Sequence, residues 1–224
     1  MSFSLSLVLQ FSYLLPIVCF LIFGRKQLKA ITILMLVYSI AFFLLLFYYK
    51  EITKWVDQGL YSTIYTFLEY FLFTSFIFLN ISNKVLRRVI IILSIGFIVF
   101  QSIYLLSNTI NSLDTLPIGI ETILLFLYVI CFFYEQFRKS TNISIYNHYC
   151  FWISVGILVY LGGSFFFYIL ANHLTKAEAD QYWKLTYIGE IIKNIFLSYS
   201  VFLFAKQKGE NGFKNKILPN LDMV

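Results

Sequence analysis

Glu69, Glu121, Glu190 and Lys193 each stand inside a run of otherwise apolar residues. A charge placed at the centre of a bilayer costs roughly 2.5–3.5 kcal/mol on insertion scales, so such residues mark sites of interhelical pairing, ion binding or proton uptake. Counted as ions, three glutamates and one lysine sum to −2. That sum is unfavourable in a low dielectric, so the layer is expected to take up a proton or to bind a cation. Lys193 has two candidate partners: Glu190, three residues earlier on the same helix, and Glu69 across the bundle.

Other polar groups fall in line with these four at helical spacing. Ser62, Tyr65, Thr66 and Glu69 share one face; Tyr187, Glu190, Asn194 and Ser198 share another, with Lys193 on its flank. Glu121, Tyr128 and the deeper Glu135 form a third stripe, and Ser94, Gln101 and Asn108 a fourth. Polar stripes on membrane helices face the bundle interior. The expectation is that they converge on one polar cavity open to the outside, with Glu69, Glu121, Glu190, Lys193, Asn194, Tyr65 and Gln101 as its ligand-binding residues.

Catalytic chemistry is not expected, and neither are a metal or a cofactor. The chain carries no GxSxG, HExxH, P-loop or paired-Asp motif. Its two histidines, His148 and His173, fall on opposite sides of the expected topology and cannot share a metal. A lysine in a seventh helix facing an acidic third helix raises a retinal Schiff base, but the sequence around Glu69 and Lys193 does not resemble a microbial rhodopsin. Cys19, Cys131 and Cys150 fall near the cytoplasmic helix ends, so no disulfide is expected.

The elements that carry these residues read as membrane helices. Of the 224 residues 60% are hydrophobic and 12% charged, whereas a soluble domain has about 25% charged residues. Seven segments are long and apolar enough to span a bilayer: 3–23, 30–49, 61–81, 87–107, 117–137, 149–171 and 185–205. None alternates as a membrane strand does, which leaves an all-α polytopic bundle. Glu69 then lies about eight residues, or roughly 12 Å, below the outer end of its helix.

The basic residues orient the bundle. Twelve of the 17 fall in alternate connectors and the C-terminal tail: Arg25, Lys26 and Lys29; Lys84, Arg87 and Arg88; Arg138 and Lys139; Lys206, Lys208, Lys214 and Lys216. The positive-inside rule places that side in the cytoplasm, with the N-terminus outside and the C-terminus inside. Tyr48, Tyr49, Trp55, Tyr182 and Trp183 would anchor the outer interface, and Tyr134, Tyr146 and Trp152 the inner one. No charge precedes the first apolar run, so it is read as a retained helix and not a signal peptide. Pro16 is expected to kink that helix, and Pro117 suits the first turn of the fifth. The chain thus divides into a seven-helix transmembrane domain, 1–205, and a basic, flexible cytoplasmic tail, 206–224.

The stretches FLEYFLFTSFIF, FWISVGILVYLGGSFFF and IGEIIKNIFLSYSVF resemble the seven-helix membrane sensing regions of bacterial histidine kinases, and the stand-alone seven-helix membrane proteins of Bacteroidota. The resemblance implies a sensory, receptor-like module of the bacterial inner membrane. After Ala205 no room is left for a kinase domain, so it would lack its own catalytic domain and signal through a separate partner. The expected partners are membrane lipid, a small cationic ligand in the cavity and a signalling protein at the basic tail; no nucleic acid is expected. Three other readings stay open: a small transporter or channel, an accessory subunit of a membrane complex, and a polar layer that only holds the helices together.

Overall fold

The structure is a computed structural model that describes residues 2–24, 30–107, 115–139, 147–170 and 175–217. The basic residues of the first connector, Asn108, Asp114, Tyr146, His173 and residues 218–224 lie outside the described residues.

Every apolar segment becomes a helix, because only intra-segment hydrogen bonds satisfy the backbone where water is absent. The first crossing is broken. Helix α1 (Ser2–Ser12) stops at Tyr13, α2 (Leu14–Cys19) follows, and a π-helical turn occupies Phe20–Gly24. Pro16 explains the break: it has no N–H to offer the carbonyl four residues back, on Ser12. Then come α3 (Ala30–Phe47), the single turn α4 (Tyr49–Ile52), α5 (Gln58–Asn80), α6 (Lys84–Ser107), α7 (Thr115–Lys139) and α8 (Tyr149–Leu170). The last helix, α9 (Lys176–Ile217), has 42 residues and spans about 63 Å. It therefore runs through 206–217, where the sequence suggests a tail.

Among the described residues six stretches are long and apolar enough to cross a membrane: Leu5–Phe23, Ala30–Phe47, Gly59–Asn80, Lys84–Ser107, Leu116–Arg138 and Gln181–Gln207. In α8 the apolar stretch Tyr149–Phe165 is shorter. No strand occurs among the described residues.

The bundle is built the opposite way to a water-soluble protein. Phe11, Phe71, Ile92, Ile130 and Phe137 face outward, while Glu69, Gln101, Glu121, Glu190, Lys193 and Asn194 are buried. Helix α6 shows it most clearly: only Ile90, Phe97 and Gln101 are buried, one narrow stripe, and between its charged start and Ser107 most of its exposed residues are aliphatic. An apolar surround suits this distribution, since exposed aliphatic surface costs nothing against lipid.

Helix α9 is the central post. It packs along α8 and against α1, α2 and the π turn. Close approach to α8 depends on Gly156, where an added Cβ would stand 3.0 Å from Cβ of Phe196 and 3.4 Å from the carbonyl oxygen of Lys193.

Two helix starts are capped by glutamates, one from a distance and one locally. Glu135 on α7 accepts the backbone N–H groups of Ser82 (2.9 Å) and Asn83 (3.2 Å), just ahead of α6, and Asn83 Oδ1 accepts the N–H of Val85. At α9, Glu178 accepts both the backbone N–H and the hydroxyl of Thr175, the glutamate half of a Thr-x-x-Glu capping box. These hydrogen bonds draw charge off the exposed Glu178 carboxylate and hold its pKa below the ordinary value.

Candidate functional site

The residues that face inward from α1/α2, α3, α5, α8 and α9 meet around Lys193. Its side chain is fully buried, and Nζ stands 3.6 Å from Glu69 Oε1 on α5. Of the two candidate partners, Glu69 across the bundle receives the ammonium. The same Nζ lies 3.6 Å from the centre of the Tyr160 ring on α8. Three more rings complete the enclosure: Tyr38 at 5.1 Å, Phe73 at 5.4 Å and Tyr13 at 5.8 Å. Aromatic faces stabilise a desolvated ammonium by about 2 kcal/mol or more each when well placed. Tyr160 also donates its hydroxyl to Glu69 Oε2 at 3.0 Å, so one side chain holds both members of the pair.

Glu190 lies one turn above Lys193 on α9 and is served by neutral donors. Tyr13 donates to Oε2 at 2.8 Å and Tyr65 to Oε1 at 3.2 Å. Hydrogen bonds to a charged acceptor contribute about 1.5–3 kcal/mol each. Tyr13 sits at the break in the first helix, stacked on Phe42 and tilted against Tyr38. Glu190 therefore ties that break to α5 and α9.

Above Glu190 is a cavity of about 370 Å³, lined by Leu9, Leu46, Tyr49, Tyr61, Ser62, Tyr65, Trp183, Thr186, Tyr187 and Glu190. This is within the usual size range for small-molecule pockets. Glu190 is the deepest α9 residue on its wall; Lys193 and Glu69 lie beneath and do not line it.

No protein-family model, curated protein or solved structure matches the chain.

The seven candidate residues separate into five places. Glu190 and Tyr65 reach the cavity, and Glu69 and Lys193 form the caged pair below it. Asn194 is turned the other way and donates to Ser12 Oγ at 2.8 Å, while Ser12 donates to the carbonyl of Leu9. Gln101 lines a separate cleft with Ser62, Thr66, Tyr104 and Pro117. That cleft measures about 10 Å³, room for about one water. Glu121 is buried on α7 and is not among the residues lining either cavity. Thus the stripes face inward, but on a pair, a cavity and a cleft, with Asn194 and Glu121 apart from all three, instead of on one chamber.

The Schiff-base idea finds no support in this geometry. The residues lining the cavity do not include Lys193, whose Nζ is already occupied by Glu69 and Tyr160.

Sequence reasoning missed Tyr13, Tyr38, Phe73 and Tyr160, the four rings about Lys193. With 17 Tyr and 26 Phe in the chain, no ring stands out by type. Only Tyr160 left a signal, sharing a face with Gly156 and Gly163.

Proposed function

We propose that the chain is a seven-crossing protein of the bacterial cytoplasmic membrane, N-terminus outside and C-terminus inside, that acts as a receptor-like sensory module. Six apolar helices and the 22-residue α8 support the count. Lys84, Arg87, Arg88, Arg138 and Lys206 at one end of the helices support the orientation. The resemblance to sensing regions of histidine kinases favours the same reading.

One observation carries the function. The cavity of about 370 Å³ ends on a buried carboxylate, Glu190, that is hydrogen-bonded to the break in the first helix and to α5. A ligand that contacts Glu190 competes for or reinforces the Tyr13 and Tyr65 bonds, and so acts on the broken first helix and on α5 together. Helix α9 carries the change toward the basic end, where a cytoplasmic partner would read it. This is the differential contact that a ligand-driven population shift requires.

A small transporter is the second reading, favoured by one feature. The first helix is interrupted at Tyr13, beside the buried carboxylate, and interrupted helices at buried sites are a transporter device.

The test uses the purified full chain in nanodiscs, loaded with a panel of inorganic cations, amines and neutral alcohols. A receptor shows altered amide hydrogen exchange at residues 80–87 and 199–207 on loading, and the Glu190→Gln variant loses that response. Uptake of the same compound into proteoliposomes would move the assignment to transport. No exchange response with any compound would remove the receptor reading.

A further inference from the structure

The chemistry of the cavity wall singles out one class of ligand. None of the described lining residues is basic, so they offer an anion no counter-charge. Among the described lining residues the single carboxylic acid is Glu190, and its hydrogen-bond donors are the neutral hydroxyls of Tyr13 and Tyr65. The nearest cation on the helix, Lys193, is directed away, onto Glu69. An incoming positive charge would therefore pair with a carboxylate that forms no salt bridge with a lysine or arginine among the described residues.

Inorganic cations fit this wall poorly. Calcium takes six to eight oxygen ligands, and magnesium needs a near-ideal octahedron. The cavity offers one carboxylate and a few hydroxyls among five aromatic rings: Tyr49, Tyr61, Tyr65, Trp183 and Tyr187. Such rings favour weakly hydrated organic ammonium groups over strongly hydrated small ions.

The molecule already solves the same recognition problem once. Below the cavity, an ammonium is held by one carboxylate and a set of rings, Lys193 between Glu69 and the Tyr160 face. The cavity repeats those parts with Glu190 as the carboxylate. We propose that the cavity binds a small organic ammonium compound, its charged head on Glu190 and its apolar body between Trp183, Tyr187 and Tyr61. This rests on the reading of the cavity as a ligand site, and it specifies the ligand's chemistry. The volume of about 370 Å³ admits a body the size of one aromatic ring with a short side chain.

The experiment titrates the full chain in nanodiscs with 2-phenylethylamine, its neutral match 2-phenylethanol, 3-phenylpropionate, tetramethylammonium and the chlorides of sodium, potassium and magnesium at equal ionic strength. Binding is read by calorimetry and by Trp fluorescence. The expected result is that 2-phenylethylamine binds at least ten-fold tighter than 2-phenylethanol, and that 3-phenylpropionate does not bind. Glu190→Gln should abolish the ten-fold preference while retaining weak binding of both neutral and charged compounds. The wild-type comparison of amine with alcohol stands even if that variant fails to fold. Equal binding of amine and alcohol overturns the proposal, as does preference for the carboxylate, a response to magnesium alone, or no binding of any amine. The hydrogen-exchange readout separates the two claims. Tight amine binding without any change at residues 199–207 supports the ligand class and removes the receptor reading. A change there driven only by a neutral or anionic probe does the reverse.

Discussion

Tyr160 touches both halves of a buried ion pair: its ring lies 3.6 Å under Lys193 Nζ and its hydroxyl donates to Glu69 Oε2 at 3.0 Å. The arrangement ties α5, α8 and α9 into one unit. Removing one member of such a pair strands the other, which typically costs about 3–5 kcal/mol. Lys193→Met and Glu69→Gln should therefore each lower unfolding stability in mixed micelles strongly. The double variant should recover most of the loss, because neither charge is left alone. Losses that simply add would show that the two residues do not interact.

Tyr160 allows its two contacts to be separated. Tyr160→Phe keeps the ring beneath the ammonium and deletes the bond to Glu69, for an expected loss of about 1–3 kcal/mol. Tyr160→Leu removes both and should lose measurably more. If the two variants unfold at the same denaturant concentration, the ring contact contributes nothing and the cage is only packing.

Much of this was legible in the sequence, and the limits have physical causes. Apolar length located the helices, because the bilayer sets that length. The depth of Glu69, Glu190 and Lys193 placed them in one layer, since 1.5 Å per residue converts position into height. Pro16 marked the break in the first helix for lack of an N–H. Side-chain direction was not legible. Asn194 follows Glu190 at helical spacing, yet it points to Ser12 while Glu190 points to the cavity. Glu135 read as the bottom of a polar stripe, whereas it caps the start of α6 through Ser82 and Asn83. That contact joins residues more than 50 positions apart, and helical periodicity says nothing about such pairs.

His148 supplies a pH dependence outside the membrane-spanning stretches. Its Nδ1 accepts the backbone N–H of Cys150 at 3.4 Å, at the start of α8, and its ring stacks on Tyr149. Partial desolvation there pushes the imidazole below its ordinary pKa of 6.5. Acceptance requires the neutral ring, and the positive end of a helix opposes an imidazolium. A lowered folded-state pKa means that the unfolded chain binds the proton more readily. The stabilisation is thus full above pH 6.5 and is lost as pH falls through the folded value. His148→Asn keeps an acceptor that does not titrate. The melting temperature of the variant should fall less than that of wild type between pH 7 and pH 5. Parallel curves would show that His148 plays no part in acid sensitivity.

Two glycines on α8 make opposite predictions from their surroundings. A Cβ at Gly156 would meet Cβ of Phe196 at 3.0 Å and the carbonyl oxygen of Lys193 at 3.4 Å, whereas at Gly163 nothing lies within 4 Å. Phe196 cannot move freely, because it stacks on Trp152 at 5.5 Å. Gly156→Ala should force α8 and α9 apart, with an overpacking loss of about 1–3 kcal/mol. Because the contact is made on the backbone of Lys193, the shift also moves the ammonium off the Tyr160 ring. Gly163→Ala adds a methyl in open space and restricts the backbone, so its stability should be unchanged or slightly higher. Melting both variants beside wild type checks this directly: a loss confined to Gly156→Ala supports close α8–α9 packing as the support of the charged layer, and equal behaviour of the two would refute it.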